Sequence, residues 1–91
     1  MKAYIISFYQ QEISDDELVE FLDDREEILN WRNYIPNTVF VVSDKNAQLL
    51  TRVIGDEFPD SSFIVAEYVP YNSDGLLDED SWEFLNKPEE A

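Results

Sequence analysis

Cysteine and histidine are both absent from the 91 residues. Without cysteine there is no disulfide framework and no thiolate chemistry, which fits a cytoplasmic protein. Without histidine the commonest general base and the commonest metal ligand are gone. Glycine occurs only at Gly55 and Gly75, too sparsely for a phosphate-cradling loop. Ser7, Ser14, Ser43, Ser61, Ser62, Ser73 and Ser81 have no histidine to activate them and no G-x-S-x-G elbow to present them. No apolar run approaches the roughly 18 residues that span a bilayer. The opening "MKAYIISFYQQE" lacks the small-residue cleavage site of a signal peptide and reads as a strand.

Positive charge is the other scarcity. Six Lys and Arg face 21 Asp and Glu, a net charge of −15. Binding through phosphates or to an anionic membrane needs the opposite balance. A basic protein surface is the natural partner, and solubility or a salt-adapted host is the plain alternative. What is present suffices for a core: 44% of residues are hydrophobic and 14% aromatic, too apolar for a disordered chain. The length makes one domain, read as residues 1–86, with 87–91 a frayed acidic tail.

Residues 3–9 alternate, with Tyr4, Ile6 and Phe8 on one side and Ala3, Ile5, Ser7 and Tyr9 on the other. Both sides are largely apolar, as in a central strand. "SDDE" (Ser14 to Glu17) is a capping box, with Asp15, Asp16 and Glu17 where a helix dipole favours negative charge. The following pattern predicts a helix from about Asp15 to Leu29. Leu18, Phe21, Leu22, Ile28 and Leu29 would form its apolar face, with Asp16, Glu20, Asp23, Asp24 and Glu27 opposite. Arg25 projects from the apolar side, placed to reach the edge or pair with a carboxylate.

"NWRNYI" (30–35) and "TVFVVS" (38–43) flank the turn dipeptide Pro36-Asn37 and predict a hairpin. Ser43-Asp44 is expected to cap a second helix. Ala47, Leu50, Thr51, Ile54 and Phe58 would line one face of it, with Gly55 and Pro59 marking its end. Residues 61–69 predict a further long strand, 70–75 a loop, and 78–86 a short helix whose Trp82 and Leu85 dock on the sheet. The fold class is therefore α+β. It is a ferredoxin-like βαββαβ sandwich with two helices on one face of an antiparallel-containing sheet, plus a short C-terminal helix. The first and third strands are expected to be central and parallel.

Asn30 to Leu50, "NWRNYIPNTVFVVSDKNAQLL", gives an aromatic arm, a turn, an apolar arm and a helix start. Gly75 to Asn86, "GLLDEDSWEFLN", gives a Gly-Leu pair followed by Trp in a terminal helix. In these stretches the chain resembles the SinR-type family of small bacterial proteins, related in fold to the small CRISPR adaptation nucleases. The resemblance implies a ferredoxin-like domain that often pairs as a dimer. In the related nucleases an aspartate ending the first strand helps bind the metal. Phe8-Tyr9-Gln10 stands there in this chain, so that site does not carry over.

Glu12, Asp15 and Asp16 could in principle supply a hard cation with oxygens, but cap chemistry explains them without a ligand. Asp78 to Asp80 read the same way. No catalytic residue, metal site or cofactor is therefore assigned. The candidate partner-binding residues are Asp16, Glu20, Asp23, Asp24, Glu27, Asp78, Glu79 and Asp80. Asp56, Glu57, Asp60 and Asp74 add to their charge. Tyr68, Tyr71 and Trp82 form a candidate dimer or partner patch.

Carboxylates spread over one surface could imitate a phosphate backbone. The expected function is non-enzymatic binding of a basic protein, as a nucleic-acid mimic or inhibitor in a DNA- or RNA-directed system such as bacterial defence. A divergent Mg²⁺-dependent nuclease-like protein and a small dimerising accessory subunit are the alternatives.

Overall fold

The computed structural model describes residues 1–90. Its strands are β1 (Lys2–Phe8), β2 (Asn30–Ile35), β3 (Thr38–Ser43) and β4 (Phe63–Glu67). Its helices are α1 (Asp15–Asp23), α2 (Ala47–Glu57) and α3 (Glu79–Asn86). The strands form one sheet in the order β2-β3-β1-β4, the ferredoxin-like arrangement. Every neighbouring pair is antiparallel. The first and third strands are central as expected, but they are antiparallel. The reason is topological. The α1 crossover returns β2 parallel to β1 and leaves a gap between them. The tight hairpin then sends β3 back through that gap, against both.

β1 is buried along one face and, at Ala3 and in part at Ile5, on the other. Tyr4, Ile6 and Phe8 meet Leu18 and Leu22 of α1, Leu50 and Ile54 of α2, and Val39 and Val41 of β3. Ala3, on the other face, packs with Phe40, Val42, Tyr68 and the α3 residues Phe84 and Leu85. The two cores follow from register. Tyr4 lies opposite Val41 and Ile6 opposite Val39, while Ala3 lies opposite Val42 and Ile5 opposite Phe40. Trp82 and Leu85 dock on the sheet as the sequence predicts.

Helix limits depart from the sequence reading where charge and hydrogen bonding intervene. Ser14 and Glu17 form the capping box. α1 then stops at Asp23 instead of Leu29. Acidic residues and no cation occupy its last turn, opposing the dipole. Leu29 leaves to donate its N–H to the Val42 carbonyl at 2.9 Å. Only Ile28 of the expected pair is buried, and Leu29 is exposed.

α2 is capped by Asn46, whose Oδ1 accepts from the Leu49 N–H at 2.8 Å, and not by Ser43-Asp44. The Ser43 hydroxyl is buried. It accepts from the Lys45 N–H and donates to the Glu27 carbonyl, pinning the segment that follows α1 to the end of β3. Thr51 is exposed, leaving Ala47, Leu50, Ile54 and Phe58 as the inward face of α2. β4 is shorter than residues 61–69 because Ser61 closes the turn after α2, donating its N–H to the Phe58 carbonyl. The expected tail forms a 3₁₀ turn at Pro88–Glu90 beside the start of β1. Ala91 lies outside the described residues.

Ile6 is completely buried at the centre of the helix-side core. Ile6→Ala should lower unfolding free energy by about 2–5 kcal/mol, measured by urea denaturation. Ser14→Ala, which removes one half of the capping box, should cost about 1 kcal/mol.

Candidate functional site

α1 presents its carboxylates outward because its apolar residues are spent on the core. Asp16, Glu20 and Asp24 are exposed, and no hydrogen bond or ion pair engages their side chains among the described residues. Asp23 accepts from the Trp31 indole N–H at 3.0 Å, which ties the helix end to β2. Glu27 differs from the other expected members. It is half-buried, and its two oxygens accept from Arg25 Nε and Nη2, both at 3.1 Å. That contact, foremost its hydrogen bonds, lowers the Glu27 pKa and raises that of Arg25. Glu27 is thus largely neutralised within the chain.

The Arg25 guanidinium also lies 5.6 Å from the centre of the Phe21 ring. Phe21 meets Phe58 edge-on at 5.7 Å. Between α1 and the end of α2 these rings floor an open groove of about 400 Å³, lined also by Glu17, Glu20, Asp24, Glu57 and Arg25 itself. Arg25 already lies over Phe21, so it is the four carboxylates, set against that one paired guanidinium, that suit a basic side chain better than an anion.

Asp78, Glu79 and Asp80 are elsewhere. They open α3, which covers the other face of the sheet, so the eight candidate acids do not form one surface. Asp78 caps the helix. Its Oδ1 accepts from the Ser81 N–H at 2.9 Å and from the Ser81 hydroxyl. These bonds, the hydroxyl's first, lower the Asp78 pKa. Glu79 and Asp80 are exposed beside it.

The aromatic patch is also divided. Tyr68 is buried, contrary to the exposure expected of it, with its hydroxyl donating to Asn86 Oδ1 at 2.7 Å. A tyrosine directly after β4 still follows the strand's pleat, and α3 lies over it. Tyr71 stands out in the following loop, and Trp82 is half-buried against the sheet. Leu76, Ile64 and Ile35 are among the exposed apolar residues that sequence reasoning missed, as are Tyr9 and Tyr34. A visible signal existed for Leu76, since only one of two consecutive leucines in a polar loop can turn inward.

At the end of β1 the acids hold the fold together. Glu12 Oε1 accepts from the Ser62 N–H at 2.8 Å, joining this connection to the start of β4. Asp15 accepts from the Asn37 N–H at 3.0 and 3.2 Å and from Asn33 Nδ2 at 2.9 Å. It therefore clamps the β2–β3 turn. Asn37 has φ of 64°, a left-handed conformation that asparagine tolerates after Pro36. Among the described residues, no three of His, Cys, Asp and Glu converge as a metal site would require. No described helix is long and apolar enough to cross a membrane.

The Asp78 cap carries a pH dependence. Its folded pKa lies below the ordinary aspartate value near 4, so its contribution is complete above that value. The contribution is lost as pH falls through the lowered pKa. In a Trp31→Phe background, Trp82 emission should shift to the red over that acid range. Asp78→Asn, which keeps an acceptor but cannot titrate there, should flatten the change.

No family model, curated protein or solved structure matches this chain.

Proposed function

We propose that this chain is a non-catalytic acidic binding protein whose α1–α2 face docks on a basic protein surface. The cleft of a nucleic-acid-binding protein is the surface it fits best. One observation carries the reading. Asp16, Glu17, Glu20, Asp23 and Asp24 are all exposed on or directly after a single nine-residue helix. The neighbouring Arg25 is already paired with Glu27.

At 1.5 Å of rise per residue, five charges along α1 amount to roughly one per 3 Å, close to the spacing along a single nucleic-acid strand. The net charge of −15 would speed encounter with such a cleft and make binding salt-sensitive. The nuclease-like alternative draws less support. Phe8-Tyr9-Gln10 offers no carboxylate at the end of β1, and Glu12 and Asp15 are turned to backbone donors in two different directions. Kinship with SinR-type proteins remains compatible with a binding role.

The test is capture from cell extract at low salt by the immobilised chain, followed by elution with rising salt. Basic proteins should be retained, released by salt and displaced by added duplex DNA. Asp16, Glu20 and Asp24, all changed to Lys, should abolish capture. They should change the Tm little, because Asp16→Lys works against the helix dipole at the start of α1, Asp24→Lys works with it at the end, and none of the three carboxylates has a partner among the described residues. Retention of only neutral or acidic proteins, insensitive to salt, would overturn the proposal.

A further inference from the structure

The sheet face beneath α3 is only partly covered. Phe84 and Leu85 pack over Ala3, Phe40 and Val42. Toward the far end of the same face the register places Ser7 opposite both Thr38 and Ile64, with Ile35 also opposite Thr38. Ile64 is 62% exposed and Ile35 40%. Leu76, on the loop that leads into α3, is fully exposed. An open groove of about 280 Å³ runs here, floored by Ile5, Phe40 and Leu85 and walled by Ile35, Leu76 and Trp82. Asp74 lines it, and among the described residues no lysine or arginine does.

We infer that this groove is a second docking surface, and that it receives an apolar side chain carried on a basic segment of a partner protein. Charge selects the occupant. A second copy of the chain would bring another −15 against the same acids, whereas a basic segment meets the complementary sign. The volume suits one or two large side chains and falls below that of most cofactor sites. A large apolar side chain seated in a desolvated pocket is where interfaces concentrate their energy. The basic character of the occupant rests on the function proposed above; the position of the groove does not.

The experiment uses the full chain carrying Trp31→Phe, so that Trp82 is its sole tryptophan. It is titrated at near-physiological salt with an alternating leucine–lysine peptide and with oligolysine of equal charge. The leucine–lysine peptide should shift Trp82 emission to the blue and bind about tenfold tighter than oligolysine. Leu76→Asp and Ile35→Asp should each weaken that binding by about tenfold, although each adds a negative charge that would tighten a purely electrostatic attachment. Far-UV circular dichroism checks that both variants fold, as the exposure of the two positions leads one to expect.

Equal binding of the two peptides, or unchanged or tighter binding by the variants, overturns the inference. Binding that survives Leu76→Asp but is lost in the triple lysine variant of α1 does so as well, while keeping the function proposed above. The reverse pattern keeps the groove and overturns the role of α1. A dimer of the chain alone that dissociates in Leu76→Asp, seen by sedimentation velocity, would make the occupant a second copy and also overturn the inference.

Discussion

The structure depends on burying one strand from two sides. β1 carries Tyr4, Ile6 and Phe8 on one face and Ala3 and Ile5 on the other, and neither set can be left to water. β3 and β4 flank it in the sheet. α1 and α2 cover one face and α3 the other. Each remaining element is placed by its contact with β1 or with a neighbour of β1. The division of acidic residues between two surfaces is a by-product: helices on opposite faces turn their polar sides in opposite directions.

The strong acidity therefore contributes little to holding the fold together. Three ion pairs occur among the described residues, and two of them, Lys2–Glu67 and Lys45–Asp44, are well exposed and weakly stabilising. Carboxylates that do structural work act as hydrogen-bond acceptors for backbone N–H groups, as Glu12, Asp15, Glu17 and Asp78 do. Of the acids on and just after α1 outside that set, Asp23 holds the Trp31 indole, while Asp16, Glu20 and Asp24 cost repulsion and return no contact among the described residues. Their placement is consistent with a role outside the chain.

Much of the fold was legible because it follows from periodicity and local chemistry. The alternation of β1, the capping box at Ser14, the Pro36-Asn37 turn and the docking of Trp82 and Leu85 are all properties of short stretches. The departures come from contacts distant in sequence. The pairing of Leu29 with Val42 truncates α1. The bridging of Glu27 and Lys45 by the Ser43 hydroxyl removes that serine from the cap of α2. Strand direction was misread although the order of elements contains it: a helical crossover makes β2 parallel to β1, and a tight hairpin then makes β3 antiparallel to both whichever gap it fills. For the candidate site, the identity of exposed α1 acids was readable from the helical pattern. The separation of Asp78, Glu79 and Asp80 from them was not, because sequence spacing carries no information on which sheet face a terminal helix covers.

The position of α3 bears on how the chain is made. β1 is made before the other three strands, yet its second face is sealed only when Glu79–Asn86 arrives. At about 5–20 residues per second, several seconds of synthesis separate the two. During that interval Ala3, Phe40 and Val42 lack their cover, and the nascent sheet is open on one side. High negative charge along the early helix would repel neighbouring nascent chains while that side is bare. The acidity of the finished surface would then also protect the unfinished one.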